Sequence, residues 1–151
     1  MNDGMYSSNK GNWGTPDDFF NKLNAQYGFD LDPCADDINH KCENYFTEES
    51  NGLEQDWNGK VFMNPPYGRK IGLWIQKAYD ETQNGNASFV VCLLPARTDT
   101  KWFHEICTLG EIIFIKGRLK FQGAKDAAPF PSMLVIFRQE PTAFPVHTMN
   151  R

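Results

Sequence analysis

The stretch that most restricts how this 151-residue chain can fold is Val61-Phe62-Met63-Asn64-Pro65-Pro66-Tyr67-Gly68, an apolar strand that runs straight into a stiff turn. Each proline fixes its own φ, has no N–H to donate, and pushes the residue before it toward extended backbone. Asn64 is therefore held at a strand end with its amide aimed in a defined direction.

A rigid Asn-Pro-Pro-Tyr suits a planar group that carries an NH2. The Asn64 side-chain oxygen and the Pro65 carbonyl each offer to accept one hydrogen of that amine, and Tyr67 offers a flat face for stacking. Accepting both hydrogens favours a nitrogen whose lone pair is drawn out of ring conjugation, which makes a poor amine nucleophilic. The same residues also suit a plainer use, in which Pro-Pro ends an edge strand and Asn64 caps a helix beginning near Gly68.

Asn64-Pro65-Pro66-Tyr67 resembles the catalytic motif of S-adenosylmethionine-dependent amino methyltransferases that act on adenine. Trp13-Gly14-Thr15-Pro16, Leu31-Asp32-Pro33-Cys34-Ala35, Leu94-Pro95-Ala96-Arg97-Thr98-Asp99-Thr100 and Ala128-Pro129-Phe130-Pro131-Ser132 extend the resemblance. Together they are similar to the small phage-type, Dam-like DNA N6-adenine methyltransferases, over roughly residues 13 to 138. The resemblance implies Asn64, Pro65, Pro66 and Tyr67 as catalytic residues and S-adenosylmethionine as cofactor. It implies Thr15 and Pro16 beside the methionine end of that cofactor, with Asp32, Pro33, Cys34 and Ala35 in its turn. Asp56 matches the position that meets the cofactor's adenine amine in related enzymes, with Trp57 stacking beside it. Glycines common in cofactor turns of this kind are absent from Cys34-Ala35-Asp36-Asp37. The acid for the cofactor ribose is not assigned; Glu48 and Glu49 are candidates.

The net charge of −4 suits a DNA enzyme only once it is divided along the chain. Residues 1–59 hold twelve Asp and Glu against three Lys and Arg, whereas residues 60–125 hold ten Lys and Arg against five acids. Arg69, Lys70, Arg97, Lys101, Arg118, Lys120 and Lys125 fall beside the motifs and form the expected phosphate-binding set. The alternative is an ordinary solvated surface. Four cysteines without a secretory context read as free thiols. A zinc site built from Cys34, His40, Cys42, His104 and Cys107 would follow no common ligand spacing, so no metal is expected. No apolar run approaches a membrane span, no charged-then-apolar signal segment opens the chain, and the expected compartment is the cytoplasm, the bacterial host's if the chain is phage-encoded.

Thr15-Pro16-Asp17-Asp18 predicts a helix start, with Thr15 as N-cap and Gly28 as terminator. Phe29 to Asp32 predicts a strand whose carboxyl end, Asp32, falls where a doubly wound fold places its ligand and where a carboxylate suits the cofactor's ammonium. Trp74, Ile75, Ala78 and Tyr79 lie at helical spacing, and Phe89 to Leu94 reads as a strand buried on both faces. Thr98 or Asp99 is the expected cap of the next helix. Glu111 to Ile115 and Met133 to Phe137, with too little between them for a full helix, predict an antiparallel pair. Residues 122–130 resemble a mobile loop beside the target-base pocket.

The expected fold is a compact Rossmann-like α/β domain, its sheet mostly parallel with helices on both faces and a C-terminal antiparallel hairpin. The expected boundaries are a flexible arm over 1–14, the methyltransferase domain over 15–140, and a loose tail over 141–151. The function implied is methyl transfer to the N6 amine of a flipped-out adenine in DNA. Other acceptors (cytosine N4, RNA adenine or protein glutamine), or a catalytically inactive nucleic-acid-binding protein of the same fold, are the alternatives. A monomer and a homodimer are both compatible with the sequence.

Overall fold

In the computed structural model, which describes residues 12–142 and 145–151, the elements are α1 (Asp17–Tyr27), β1 (Leu31–Asp32), β2 (Asn44–Tyr45), β3 (Gly59–Met63), α2 (Ile71–Gln83), β4 (Ala87–Pro95), α3 (Lys101–Glu105), β5 (Glu111–Lys116), β6 (Ser132–Arg138) and β7 (Val146–Asn150). They build one seven-stranded sheet in the order β2-β1-β3-β4-β6-β5-β7. Every strand pairs in parallel except β6, which runs antiparallel to both β4 and β5. The expected antiparallel pair is therefore β5 and β6, and the mostly parallel sheet is as the sequence implied.

Register fixes the layers. Phe62 pairs with Val91 and Val91 with Ile136, so these three share a sheet face, while Val61, Val90 and Phe137 share the other. Phe20 of α1 packs edge-on to Phe62 at 5.2 Å, whereas Tyr79 of α2 packs edge-on to Phe137 at 5.5 Å. Helices α1 and α2 thus lie on opposite faces. Strands β4 and β6 are buried over most of their length, as is β3 from Val61 to Met63, which is why they read as unbroken apolar runs rather than as alternation.

Four local expectations change. Helix α1 starts at Asp17 with Pro16 at the cap position and no side-chain cap; Thr15 is buried and its hydroxyl faces Asn64 instead. Helix α3 is capped by Thr100, whose Oγ1 accepts from Phe103 N at 3.2 Å, and not by Thr98 or Asp99. The supposed tail supplies β7, parallel to β5 from Val146 to Asn150. Its Val-His-Thr-Met-Asn sequence is largely exposed, so burial left no pattern to read. Of the expected arm, residues 1–11 lie outside the described residues, while Trp13 packs edge-on against Phe121 and Phe130 at 5.5 and 5.0 Å.

Candidate active site

A cavity of about 700 Å³ opens over the carboxyl ends of β1, β2 and β3. In an open parallel sheet the crevice beyond the strand ends is where ligands bind. Four chain segments wall it: Trp13 and Gly14, Pro33 to Asp36, the turn Asn51-Gly52-Leu53, and Asn64-Pro65-Pro66, with Thr47, Glu48 and Trp74 between them. The volume lies within the range for a small-molecule or cofactor site.

Asn64 is where the sequence placed it, one residue past β3, and its carboxamide is almost fully committed. Nδ2 donates to the Trp13 carbonyl and to Thr15 Oγ1, the latter at 3.0 Å. Because a carbonyl can only accept, the atom facing it must be the nitrogen. Oδ1 is then left buried without a partner. An orphaned acceptor costs about 1–3 kcal/mol, and this one belongs to a residue that lines the cavity.

The cavity brings together only part of the expected cofactor set. Pro33, Cys34 and Ala35 line it, whereas Thr15, Pro16, Asp32, Asp56 and Trp57 do not. Asp32 lies beneath the wall at 5% exposure, its two oxygens accepting Cys34 N at 3.2 Å and Lys41 N at 2.9 Å. It ties down the loop that forms the wall. Burial pushes its carboxyl up to about 6, against the pull of the two backbone amides and Lys41. Asp56 lies on a separate depression of about 420 Å³ with Glu43, Tyr45 and Asn58, because it precedes β3 and so falls toward the strand's opposite end. Trp57 is fully buried; its Nε1 donates to Gly52 O at 2.8 Å and its ring stacks on Trp74 at 6.2 Å. It supports the wall from behind.

Glycine enters from the facing turn. A Cβ on Gly52 would stand 2.5 Å from the Pro33 carbonyl oxygen, so only glycine lets these two walls approach. Glu48 and Asn51, which sequence spacing did not single out beyond Glu48 as a candidate, reach the cavity because β2 ends two residues before Thr47. Burial, with Asp32 and Cys92 adding to it, raises the Cys34 thiol well above its usual value, so it is a neutral surface and not a nucleophile.

Tyr67 is 9% exposed and its hydroxyl donates to Leu93 O at 3.1 Å. The Phe121 and Phe130 rings stand edge-on to it at 6.4 and 5.8 Å. Burial, partly opposed by Arg97, raises its phenol far above the usual range, which rules it out as a base near neutrality. The Arg97 guanidinium sits 5.8 Å over the Phe130 ring, and Arg118 donates to Ala128 O at 3.3 Å. Both cations therefore border the 117–131 connection, whose ends are pinned by the buried Leu119, Phe121, Ala128 and Phe130. Lys70 lines the cavity. Arg69, Lys101, Lys120 and Lys125 are exposed. Among the described residues no group of three His, Cys, Asp or Glu side chains is placed to hold a metal ion.

A parallel sheet with one reversed strand, and a cofactor-sized cavity ending on Asn-Pro-Pro, together define a Rossmann-like methyltransferase. The model of the DNA N-6-adenine-methyltransferase (Dam) family matches residues 4–151. The chain is 35% identical over 147 residues to the DNA N-6-adenine-methyltransferase of Haemophilus phage HP1, covering 90% of this chain and 82% of that one. It is 36% identical over 111 residues to the enzyme of the same description from Escherichia phage T1, covering 71% of this chain but 45% of the relative. A putative methyltransferase of Escherichia coli (strain K12) matches at 43% over 63 residues, 36% of this chain and 69% of that one. The chain belongs to the DNA N-6-adenine-methyltransferase family, enzymes that use S-adenosylmethionine to methylate adenine in DNA.

The residues present fit that cofactor. The glycine-permitted approach of Pro33 to Gly52, the exposed Glu48 carboxylate and the flat Trp74 ring, all lining one cavity, suit a nucleoside with a polar tail.

Proposed function

We propose that this chain methylates the N6 amine of an adenine flipped out of duplex DNA, with Asn64 Oδ1 and the Pro65 carbonyl accepting the two amine hydrogens. The observation that carries this is the buried Asn64 Oδ1, oriented by two bonds on the nitrogen side and left without a partner of its own. S-adenosylmethionine, when bound, supplies an electrophilic methyl group on sulfur. Pro33, Cys34 and Ala35 would hold it through the wall that Asp32 fixes, with Glu48 an acceptor for its ribose hydroxyls and Trp74 a flat surface for its ring.

The target amine is unreachable in a stacked duplex, so the base is extruded at a cost of a few kcal/mol. Stacking on Tyr67 returns about 1–3 kcal/mol, and since Tyr67 is only 9% exposed with Phe121 and Phe130 beside it, its neighbours must shift to uncover the ring. Asn64 Oδ1 and Pro65 O then draw the lone pair of N6 out of conjugation and direct it at the methyl carbon. With the cofactor bound, N6 would take the methyl group as the C–S bond pair stays on sulfur, giving a neutral thioether, and the surplus N6 proton would leave to solvent. No basic side chain is needed, and the raised Tyr67 phenol is unsuited to be one. Positioning of this kind is worth on the order of 7–11 kcal/mol when the geometry is right.

The test is to incubate the protein with methyl-labelled cofactor and unmethylated duplex DNA, digest the DNA and identify the labelled nucleoside. N6-methyldeoxyadenosine is expected, and Asn64→Ala should abolish it while calorimetry finds cofactor affinity largely kept. Label in cytosine, or none in DNA, would overturn the assignment; equal loss of cofactor affinity in Asn64→Ala would remove Asn64 from the amine-binding role.

A further inference from the structure

We infer that Thr15 is a positioning residue for methyl transfer, acting on the Asn64 carboxamide and not on the cofactor. The inference rests on Asn64 as the amine acceptor. A terminal amide turns about a broad, two-fold torsion, and a half turn exchanges its oxygen with its nitrogen. In the wrong half turn NH2 would face the amine of the target base, donor against donor, and the reaction would lose its acceptor. Something outside Asn64 must choose between the two.

The Trp13 carbonyl, which can only accept, makes that choice, and the Thr15 hydroxyl takes the second hydrogen and holds the amide in it. Together they take both hydrogens of Nδ2, which turns Oδ1 away from them and leaves it buried without a partner. The segment Trp13-Gly14-Thr15 is itself held: Gly14 O accepts from Gln122 N at 2.8 Å, and the Trp13 ring packs against both Phe121 and Phe130. Thr15 is 2% exposed and does not line the cavity, so its hydroxyl faces Asn64 and not a ligand. It is not spent as a helix cap either. A buried hydroxyl withheld from the nearest helix end and given to a catalytic amide is doing orientation.

The experiment compares Thr15→Val, which keeps shape and removes the hydroxyl, with Thr15→Ser, which keeps the hydroxyl. Thr15→Val should lower kcat roughly ten- to thirtyfold with the cofactor Kd within twofold of wild type. Thr15→Ser should recover kcat to within about threefold. Independently of turnover, the side-chain amide of Asn64 in protein labelled with nitrogen-15 at asparagine should show, in Thr15→Val alone, one of its two protons shifted and faster in solvent exchange. Unchanged kcat and amide signals in Thr15→Val, or a fall in cofactor affinity matching the fall in kcat, would overturn the inference. Should wild type transfer no methyl to adenine, the function proposed above fails, while the amide spectrum still decides whether Thr15 orients Asn64.

Discussion

At the scale of single residues, Asp32 shows how a motif position and a contact can part company. Its place at a strand end suits a ligand for the cofactor's ammonium, yet both oxygens are turned into the protein and hold the loop to Lys41. The folded carboxyl is raised from 3.8 to about 6, chiefly by burial. A raised carboxyl means the folded state binds the proton more tightly than the unfolded one. The stability Asp32 contributes is therefore full below about pH 4 and is lost as pH climbs through 6. Urea unfolding at steps between pH 4 and 7 should show wild type losing on the order of 3 kcal/mol relative to Asp32→Asn, whose side chain does not titrate. Parallel profiles for the two proteins would mean that Asp32 ionises as an exposed acid does. Asn64, Pro33, Cys34 and Ala35 line the cavity because each is tied to a strand end by its motif. Thr15, Asp56 and Trp57 fall outside its lining, for a motif gives the order of residues along the chain and not the direction a side chain takes.

Among the elements, the legible ones were those whose burial left a pattern. Strands β3, β4 and β6 announced themselves as apolar runs, and α1 and α2 as helical spacing ended by Gly28 and Gly85, both at positive φ. Strand β7 and the cap of α3 were missed, the first because its side chains face solvent, the second because Thr98, Asp99 and Thr100 are equally good caps on paper. The close backbone approach at the Pro33 wall is made possible by Gly52, from a different segment of the chain. Its replacement by alanine sets a methyl group against the Pro33 carbonyl, and backbone must move to admit it. Gly52→Ala should weaken cofactor binding at least tenfold by calorimetry, with the Trp57–Gly52 bond disturbed as well. Wild-type affinity in that variant would show that the wall tolerates the shift and that the close approach has no bearing on the site.

Taken whole, the molecule gives its uneven charge a direction. The acidic N-terminal third forms α1, β1, β2 and the cavity's outer walls, while the cations expected to meet DNA fall in three connections: Arg69 and Lys70 after β3, Arg97 and Lys101 after β4, Arg118, Lys120 and Lys125 after β5. Those three strands run parallel, so their following loops emerge at one edge of the sheet, the edge that carries Asn64. No helix among the described residues is long and apolar enough to cross a membrane. Phosphate neutralisation releases counterions, so the logarithm of the binding constant should fall with the logarithm of salt by about 0.9 per contact. Replacing Arg97, Arg118 and Lys120 together with alanine should then reduce that slope by roughly one for each cation that meets a phosphate. Lys60 near the start of β3 is exposed toward the opposite edge, so Lys60→Ala should leave the slope as it was. Equal effects from the two variants would mean that DNA is drawn by overall charge and that the edge carrying Asn64 does not dock it; a loss confined to the triple variant would place the duplex where a flipped adenine reaches Asn64.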